Sequence, residues 1–334
     1  MVTLRTAAIG RRVLFVHQSS DLYGSDRVLL ECADAVNRAG GEAVVALPGD
    51  GPLFAALRSR GIESHVFSPA GVLKIDRRSL SAGGLVRLVA SIPCSIESLR
   101  RCMANGPIDL VCSNTLAVFA GALWAALYRL PHVWHVHEIV DRPVLAAKAF
   151  GMLLRLSADT VVCNSRATSD FISALQPALA ARTRVVWNGV PDPLRNPSRA
   201  TTSYTARFRP NGERLAIGLV GRINRMKGHA LLLEACERLE DMRTADFSIV
   251  FVGSPPPGQD QHLATLRDRI RSSPIADRVV LCDFLADTAA AYSALDLVCM
   301  PSTEAEGFGL VAVEAMAADA RRDDSAFGGL PEVV

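Results

Sequence analysis

The chain has 334 residues, of which 49% are hydrophobic and 21% charged, and its formal net charge is +2. This composition is typical of a soluble globular protein of about two domains, and it shows no low-complexity tract. The eight cysteines form no C-x-x-C pair, which excludes the usual zinc spacing and favours buried thiols in a reducing compartment.

Short apolar runs alternate with helical stretches along the first part of the chain. The segment 25–40 has apolar residues at helical spacing and ends on Gly40, a typical C-cap signal. The uncharged run from Asn114 to Tyr128 is too short to span a bilayer and predicts a buried helix. Nearly all-apolar runs predict buried parallel strands. These runs are 13–16, 43–47, 109–112, 133–136, 160–163 and 184–187.

The segment 76–101 mixes arginines with apolar residues. It predicts a surface helix that breaks near Pro93, or alternatively a segment that faces a membrane or an acceptor. Residues 188–214 contain four prolines and little periodicity, which predicts an interdomain connection. The alternation then restarts, with apolar runs at 215–220, 248–253, 278–282 and 296–301.

Strand–helix alternation predicts right-handed crossovers and parallel sheets. We therefore expect an α/β protein with two Rossmann-like domains, the first at 1–195 and the second at 214–334, joined by a linker at 196–213. Residues 1–200 hold 22 Lys+Arg and 15 Asp+Glu, whereas the remainder is net acidic. This asymmetry is either scatter in surface charge or a basic first domain that faces an anionic partner.

Two glutamates flank a glycine-rich turn after the last apolar run. Glu306 is expected in the loop at the strand's carboxyl end, where ligands bind in such sheets, and Glu314 in the following helix. Gly307 and Gly309 let the backbone approach a ligand closely, and the helix start offers free N–H groups. Carboxylates on either side suit sugar hydroxyls, because each oxygen accepts hydrogen bonds. Alone, this pattern is common in α/β proteins.

A second segment carries two cations near the start of a helix. Arg222 follows the first strand of the second domain, and Lys227 opens the next helix. They could meet a diphosphate and stabilise the charge that develops on a leaving phosphate. Taken alone, the segment is equally compatible with two solvated cations that flank a turn.

Together the two segments resemble the retaining glycosyltransferases of the GT-B fold, family 4. The family's G-R-x-x-x-x-K-G is matched from Gly221 to Gly228, and its E-G-F-G-x-x-x-x-E-A-M-A from Glu306 to Ala317. In the first domain, "WHVHE", "VVCNSRATSDFI" and "VVWNGV" also resemble family segments. The resemblance implies two Rossmann-like domains with a cleft between them. The first domain would choose the acceptor, and the second would bind a nucleotide sugar.

The resemblance also implies a role for each matching residue. Glu306 and His137 would lie at the donor sugar as catalytic residues, and Glu314 would hold the ribose hydroxyls. Arg222 and Lys227 would bind the donor diphosphate. The other positions implied at the diphosphate are Gly24, Ser25, Gly307, Phe308, Gly309 and Leu310. The family often has two adjacent glycines where this chain has only Gly24.

The implied reaction is transfer of a sugar from a nucleotide-sugar donor to an acceptor hydroxyl, with retention of anomeric configuration. No metal or other cofactor is expected, and the chain contains no D-x-D pair. The expected setting is cell-surface glycan or glycolipid synthesis, with a glycan or lipid-linked acceptor and no nucleic acid. The N-terminus lacks a signal-peptide pattern. The expected location is therefore the cytoplasm, including the inner face of the membrane through the basic first domain.

The chain departs from the family pattern after Ala318. Where the family has an apolar strand, this chain reads "DARRDDSAF" from 319 to 327 before it rejoins the pattern with "GGLPEVV". We therefore expect a sheet that lacks one strand or fills the position poorly, in a C-terminally truncated second domain. One alternative is an inactive remnant that at most binds a nucleotide or a partner. A GT-B nucleotide-sugar epimerase is a second alternative, which the two motifs disfavour.

Overall fold

The computed structural model divides the chain into two compact units, Met1–Asn188 and Gly189–Val334. Each unit is built on one parallel sheet flanked by helices, as the alternation of the sequence predicts. None of the helices in the described part of the chain is long and apolar enough to cross a bilayer. The residues described are 9–68, 70–73, 82–190, 201–212, 215–242, 246–285, 288–318, 320–325 and 328–333.

The first unit holds a parallel sheet in the order β3-β2-β1-β4-β5-β6-β7. Its strands are β1 (Arg12–His17), β2 (Glu42–Leu47), β3 (Glu63–Val66), β4 (Leu110–Asn114), β5 (His132–Val136), β6 (Thr160–Cys163) and β7 (Thr183–Val185). Its helices are α1 (Gly24–Arg38), α2 (Pro52–Ser59), α3 (Ala82–Ala90), α4 (Ile92–Arg100), α5 (Ala120–Tyr128), α6 (Val144–Ser157) and α7 (Arg166–Leu175). Alternate residues of β1 enter two different hydrophobic clusters, so both faces of the sheet are covered.

The second unit holds a parallel sheet in the order β10-β9-β8-β11-β12. Its strands are β8 (Leu215–Val220), β9 (Phe247–Val252), β10 (Val279–Cys282), β11 (Leu297–Met300) and β12 (Arg321–Asp324). Its helices are α8 (Thr201–Phe208), α9 (His229–Asp241), α10 (Gln261–Arg271), α11 (Ala289–Ser293) and α12 (Leu310–Ala317). Alternate residues of β8 again enter two clusters, one on each face.

Each of the ten predicted apolar runs contains a strand, but two polar strands were not predicted as such. The edge strand β3 has the sequence "ESHV" and is only partly buried along its length, so it lacks an apolar signal. The run from Asn114 to Tyr128 is helical only over α5, because Thr115 takes a left-handed φ of 98° in a loop. The predicted helix near Pro93 is broken at Ser91, between α3 and α4, while 76–81 lies outside the described residues.

The boundary between the units falls between Asn188 and Gly189, ahead of the predicted linker at 196–213. Part of that linker is helical, since α8 begins at Thr201. Phe208 at its end is fully buried in a cluster with residues of β8 and β9. The apolar side chain therefore attaches this part of the predicted linker to the second unit.

The segment "DARRDDSAF" does not leave a gap in the sheet, so the expectation of a missing strand is wrong. β12 pairs in parallel with β11 from Leu297↔Arg321 to Met300↔Asp324. Backbone hydrogen bonds form this strand despite its charged side chains, because it lies at the edge of the sheet. Arg322 and Asp324, two residues apart on one face, form an ion pair of 3.3 Å.

Candidate functional site

Each sheet has one point where the order of its strands reverses, β1/β4 in the first unit and β8/β11 in the second. Ligands of open α/β sheets bind at the carboxyl ends of the strands at such points. In the second unit, Arg222 and Lys227 follow β8, and Glu306 follows β11. In the first unit, α1 with Gly24 and Ser25 follows β1, and His137 follows β5.

Lys227 and Glu306 form a largely buried ion pair at the switch point of the second unit. Lys227 Nζ lies 2.5 Å from Glu306 Oε1, and Ser302 Oγ donates to the same oxygen at 2.6 Å. Burial disfavours the charged carboxylate, but the Lys227 charge and the two hydrogen bonds outweigh it, so the pKa of Glu306 lies below its usual value. Glu306 is therefore an ionised acceptor at neutral pH.

Two turns bring the members of this pair together across the sheet edge. Asn224 Oδ1 accepts the backbone N–H of Lys227 at 3.1 Å, and the Thr303 N–H donates to the Met226 carbonyl at 2.8 Å. Gly228 has a left-handed φ of 74°, and a Cβ there would collide with the backbone carbonyl of Pro301. A glycine is required at 228 because the two loops approach each other so closely.

The glycine turn after Glu306 is held by the segment near the C-terminus. The Glu306 carbonyl accepts the Gly329 N–H at 2.8 Å, and Glu306 forms a parallel bridge with Gly328. Leu330 is 1% exposed and packs against Met300 and the first turns of α12.

The predicted diphosphate-binding turn comprises Gly307 to Leu310, at the start of α12. Gly309 has a left-handed φ of 91°, and a Cβ there would collide with the side chain of Leu330. Phe308 is buried, so its side chain belongs to the packing of the turn. The turn can therefore offer a ligand its backbone N–H groups and not that ring.

Glu314 is held by a tyrosine that the sequence interpretation missed. Tyr292 in α11 is 1% exposed and donates its hydroxyl to Glu314 Oε2 at 2.7 Å. This hydrogen bond orients one oxygen of the carboxylate, whereas the packed tyrosine ring fixes the donor in place. Ser302 was missed in the same way, although its position directly after β11 is a signal that could have found it.

His137 in the first unit lies against buried polar side chains. Its Nε2 is 2.9 Å from Asn114 Oδ1, and its ring centroid is 4.0 Å from that of His135. Burial, helped by the nearby His135 and His17, holds the pKa of His137 well below the ordinary value. His137 is therefore neutral at pH 7. The predicted residue Ser25 offers its carbonyl to Asn114 Nδ2 at 3.4 Å.

The structure thus brings Lys227, Glu306 and the 307–310 turn together in the second unit, with Arg222 in the same loop as Lys227. His137, Gly24 and Ser25 belong to the first unit. Within the described residues, no group of three or more His, Cys, Asp or Glu side chains is arranged to hold a metal ion.

The chain is similar to curated bacterial glycosyltransferases. It is 32% identical over 197 residues to D-inositol 3-phosphate glycosyltransferase of Mycobacteroides abscessus, covering 58% of this chain and 43% of the relative. D-inositol 3-phosphate glycosyltransferase 1 of Catenulispora acidiphila is 33% identical over 281 residues, covering 77% of this chain and 64% of the relative. The alignments therefore span less than two thirds of either relative.

Solved structures show the same fold. HepE of Anabaena, in complex with UDP and glucose, superposes with a TM-score of 0.79 at 24% identity, over 96% of this chain and 82% of that one. WaaG, a glycosyltransferase involved in lipopolysaccharide biosynthesis, has a TM-score of 0.65 at 15% identity, over 96% and 83%. Both likenesses concern the fold, and the expected GT-B fold is confirmed.

Family models cover most of both units. The model "Glycosyl transferases group 1" matches residues 202–334, and the model "Glycosyltransferase Family 4" matches residues 23–192. The second match alone spans half of the chain, and it begins just ahead of α1 at the predicted glycine loop. The resemblance seen in the motifs is thereby confirmed: the chain belongs to glycosyltransferase family 4.

Proposed function

We propose that the protein transfers a sugar from a nucleotide-sugar donor to an acceptor hydroxyl, with retention of anomeric configuration. The observation that carries this proposal is the Lys227–Glu306 pair at the switch point of the second unit, in a chain of family 4. Solved relatives with UDP and with UDP-glucose make a uridine diphosphate sugar the first donor to test.

Lys227 is suited to receive a diphosphate. Its ammonium has three donor hydrogens, of which Glu306 accepts one, so two remain for phosphate oxygens. The side chain is only 22% exposed, and partial removal of water strengthens its attraction for an anion. Arg222 in the same loop would add a second, forked donor. Their combined role would be to stabilise charge on the leaving nucleotide diphosphate.

Glu306 and Glu314 are suited to hydroxyl groups. Lys227 and Ser302 share one oxygen of Glu306, which leaves its second oxygen to accept a hydroxyl of the donor sugar. The Tyr292 hydroxyl orients the carboxylate of Glu314, consistent with a role in binding the vicinal hydroxyls of ribose. On this proposal the enzyme acts by positioning and by charge stabilisation, with no metal and no side-chain nucleophile.

The test is donor binding followed by donor turnover in the full chain. UDP-glucose, ADP-glucose and GDP-mannose are compared by thermal shift, because a ligand that binds the native state raises its melting temperature. Nucleotide release is then measured in the presence of chelator. Glu306→Gln is expected to reduce turnover at least about 100-fold, as for loss of one stabilising group. The exposed neighbour in Glu304→Gln is the matched control.

Each contrary result has a distinct meaning. Binding without turnover favours the inactive remnant, and an epimerised nucleotide sugar favours the epimerase. Loss of turnover in chelator contradicts metal independence. The anomeric configuration of the product, measured by NMR, tests retention. An inositol phosphate acceptor is the first to try, since the relatives carry that name, before glycan and lipid-linked acceptors.

We also propose that the first unit meets an anionic membrane from the cytoplasmic side. Helix α6 exposes Leu145 by 82% and Leu156 by 78%, with Met152 between them. Lys148 and Arg155 are exposed on the same helix. Apolar side chains at helical spacing with interspersed cations suit the interface of an anionic bilayer.

Vesicle sedimentation tests the membrane contact. Binding to vesicles that contain phosphatidylglycerol is expected, with much weaker binding to phosphatidylcholine alone. The double variant Leu145→Gln/Leu156→Gln is expected to lose most of the binding, because its apolar contact is removed. Leu231→Gln, an exposed leucine of the second unit, is the control. Equal binding to both vesicle types would contradict the electrostatic part of the proposal.

A further inference from the structure

A line of buried polar side chains connects three elements at the switch point of the first unit. His17 ends β1, Asn114 ends β4, and Asp26 lies in the first turn of α1. All three are at most 1% exposed. The line ends at His137, which follows β5 and is half-buried.

The hydrogen atoms of these hydrogen bonds can be assigned one after another, starting from the carboxylate of Asp26. Asp26 Oδ2 accepts the Tyr23 backbone N–H at 2.8 Å, and Oδ1 lies 2.7 Å from His17 Nε2. A carboxylate only accepts hydrogen bonds, so His17 carries its hydrogen on Nε2. In a neutral imidazole the other nitrogen is then an acceptor. His17 Nδ1 accordingly faces Asn114 Nδ2 at 3.0 Å.

The Ser25 carbonyl decides which way the Asn114 amide points. Asn114 Nδ2 is 3.4 Å from that oxygen and 3.0 Å from His17 Nδ1, and both of these atoms accept. The amide nitrogen supplies two hydrogens, one for each. A reversed amide would place its oxygen against two acceptors. The oxygen Oδ1 therefore faces His137, with 2.9 Å to Nε2.

We infer that Asp26, His17 and Asn114 are positioning residues that fix His137 as the Nε2–H tautomer and keep its Nδ1 as a hydrogen-bond acceptor. Because Asn114 Oδ1 only accepts, His137 must donate to it from Nε2. Nδ1 has no hydrogen-bond partner among the described residues. It is thus available to a ligand that brings a donor hydrogen.

The chemical class of that ligand group follows from the tautomer. An acceptor nitrogen suits a hydroxyl and disfavours an anionic oxygen, which would need an N–H. On the proposed function, on which this step rests, the group is a hydroxyl of the donor sugar or of the acceptor. The neutral state of His137 supports the assignment, since burial and its histidine neighbours keep its pKa low. A protonated imidazole would instead donate from both nitrogens.

A competing arrangement defines the result that would overturn the inference. The backbone carbonyl of Asn114 is 3.1 Å from His17 Nδ1 and would accept a hydrogen from a protonated His17. The amide would then reverse and donate to His137 Nε2, which would leave the hydrogen of His137 on Nδ1. The two arrangements place opposite tautomers at His137, so one spectroscopic measurement separates them.

The test is NMR of the ligand-free full chain labelled with ¹⁵N-histidine, at neutral pH. His137→Gln identifies the His137 signals by their loss. The inference expects Nδ1 at the shift of an unprotonated ring nitrogen and Nε2 at that of a protonated one. The opposite tautomer, or an average of the two in the unmodified chain, overturns it. This measurement needs no active enzyme.

Two variants show whether the line sets the tautomer. Asn114→Ser removes the amide and is expected to move both His137 nitrogen shifts toward a mixture of tautomers. Asn164→Ala is the matched control, because Asn164 Nδ2 donates to the His137 backbone carbonyl at 3.3 Å and not to the ring. Unchanged shifts in Asn114→Ser, or equal changes in both variants, would overturn a positioning role.

A titration with UDP-glucose separates this inference from the proposed function. A change of the His137 Nδ1 shift on binding supports contact with a hydroxyl. Absence of binding, with the predicted tautomer intact, contradicts the proposed donor and leaves the positioning residues supported. Binding with the opposite tautomer supports the donor and overturns the inference.

Discussion

The two switch points use different means to order polar groups. In the first unit the groups at the strand ends are mainly imidazole and amide, arranged in a hydrogen-bonded line from His17 to His137. In the second unit they are a charge pair, Lys227 and Glu306, held by glycine turns. Side-chain hydrogen bonds therefore set the geometry of the first point, and close backbone approach sets that of the second. The same sheet architecture supports both.

The largest expected effect concerns the close backbone approach in the second unit. Gly228→Ala is expected to destabilise the second unit by about 4 kcal/mol, because it adds left-handed strain and a collision with the Pro301 backbone. Gly212→Ala is the matched control, since Gly212 has φ 78° but open space around it, and should cost about 1 kcal/mol. Urea unfolding followed by circular dichroism measures both. Equal losses of unfolding free energy in the two variants would show that the close approach at Gly228 is unimportant.

The pH dependence of the first unit tests its neutral histidines. Burial, with a small contribution from His17, lowers the pKa of His135 to about 4, while the unfolded chain titrates near the ordinary value of about 6.5. The unfolded state thus binds more protons below that value. Unfolding free energy should fall by about 3 kcal/mol for this residue between pH 6.5 and 4. His137 and His132, with lowered pKa values, add to the slope.

Tryptophan fluorescence reports the unfolding of the first unit, because Trp124, Trp134 and Trp187 all belong to that unit. Urea midpoints are compared at pH 7.5, 6.0 and 5.0. His135→Gln should flatten the dependence, whereas His262→Gln, in the second unit, should leave it unchanged. A pH dependence in His135→Gln as steep as in the unmodified chain would place the titrating groups elsewhere.

Removal of one charge tests the pair in the second unit. Lys227→Met leaves the carboxylate of Glu306 buried without its cation and is expected to lower the free energy of unfolding by about 3 kcal/mol. The double variant Lys227→Met/Glu306→Gln should recover most of that loss, as measured by urea unfolding. The lowered pKa of Glu306 implies a pair whose stabilisation is present at neutral pH and is lost as the pH falls below the ordinary glutamate value and through the lower pKa of the folded state. Lack of recovery in the double variant would contradict this account.

A smaller effect is expected for the hydroxyl that orients Glu314. Tyr292→Phe removes the 2.7 Å hydrogen bond and should cost about 1 kcal/mol of stability. On the proposed function it should also weaken nucleotide affinity several-fold, as measured by calorimetry. Tyr204→Phe, a partly buried tyrosine of the same unit, is the control. Reduced stability with unchanged affinity would separate Glu314 from the nucleotide.

The smallest effect concerns the charged edge strand. Burial raises the pKa of Asp324, more than its neighbour Arg322 lowers it. A raised pKa means that the carboxylate is unfavourable at neutral pH, so Asp324→Asn should stabilise the chain by about 0.5 kcal/mol. The gain should shrink as the pH falls through the raised pKa of Asp324, because the protonated carboxyl no longer carries the buried charge. The exposed Asp323→Asn should have no effect, and a loss of stability in Asp324→Asn would contradict this interpretation.

The sequence predicted most of the fold because buried parallel strands leave long apolar runs. It missed β3 and β12, whose positions at sheet edges require backbone pairing and little apolar area. For the candidate site, motifs identified Lys227 and Glu306, since both occur at recognisable spacings.

The partners that hold these residues could not be predicted in the same way. Tyr292 meets Glu314 through the packing of α11 on α12, and Asn114 meets His137 through the pairing of β4 with β5. Such contacts depend on the order of strands and helices in space. Local spacing in the sequence does not encode them, so a motif identifies its own residues and not the partners that hold them.

The bridge between Glu306 and Gly328 limits which positions of this region can accept other residues. The four charged residues of β12 contribute mainly their backbone, so many side chains would serve there. Gly328 has φ 65°, and a Cβ there would collide with the Glu306 carbonyl, so only glycine fits. A deep mutational scan should therefore find a tolerant stretch at 321–323 beside an intolerant position at 328. The side chains of the strand can therefore vary while the glycine of the loop, a few residues further along the chain, cannot.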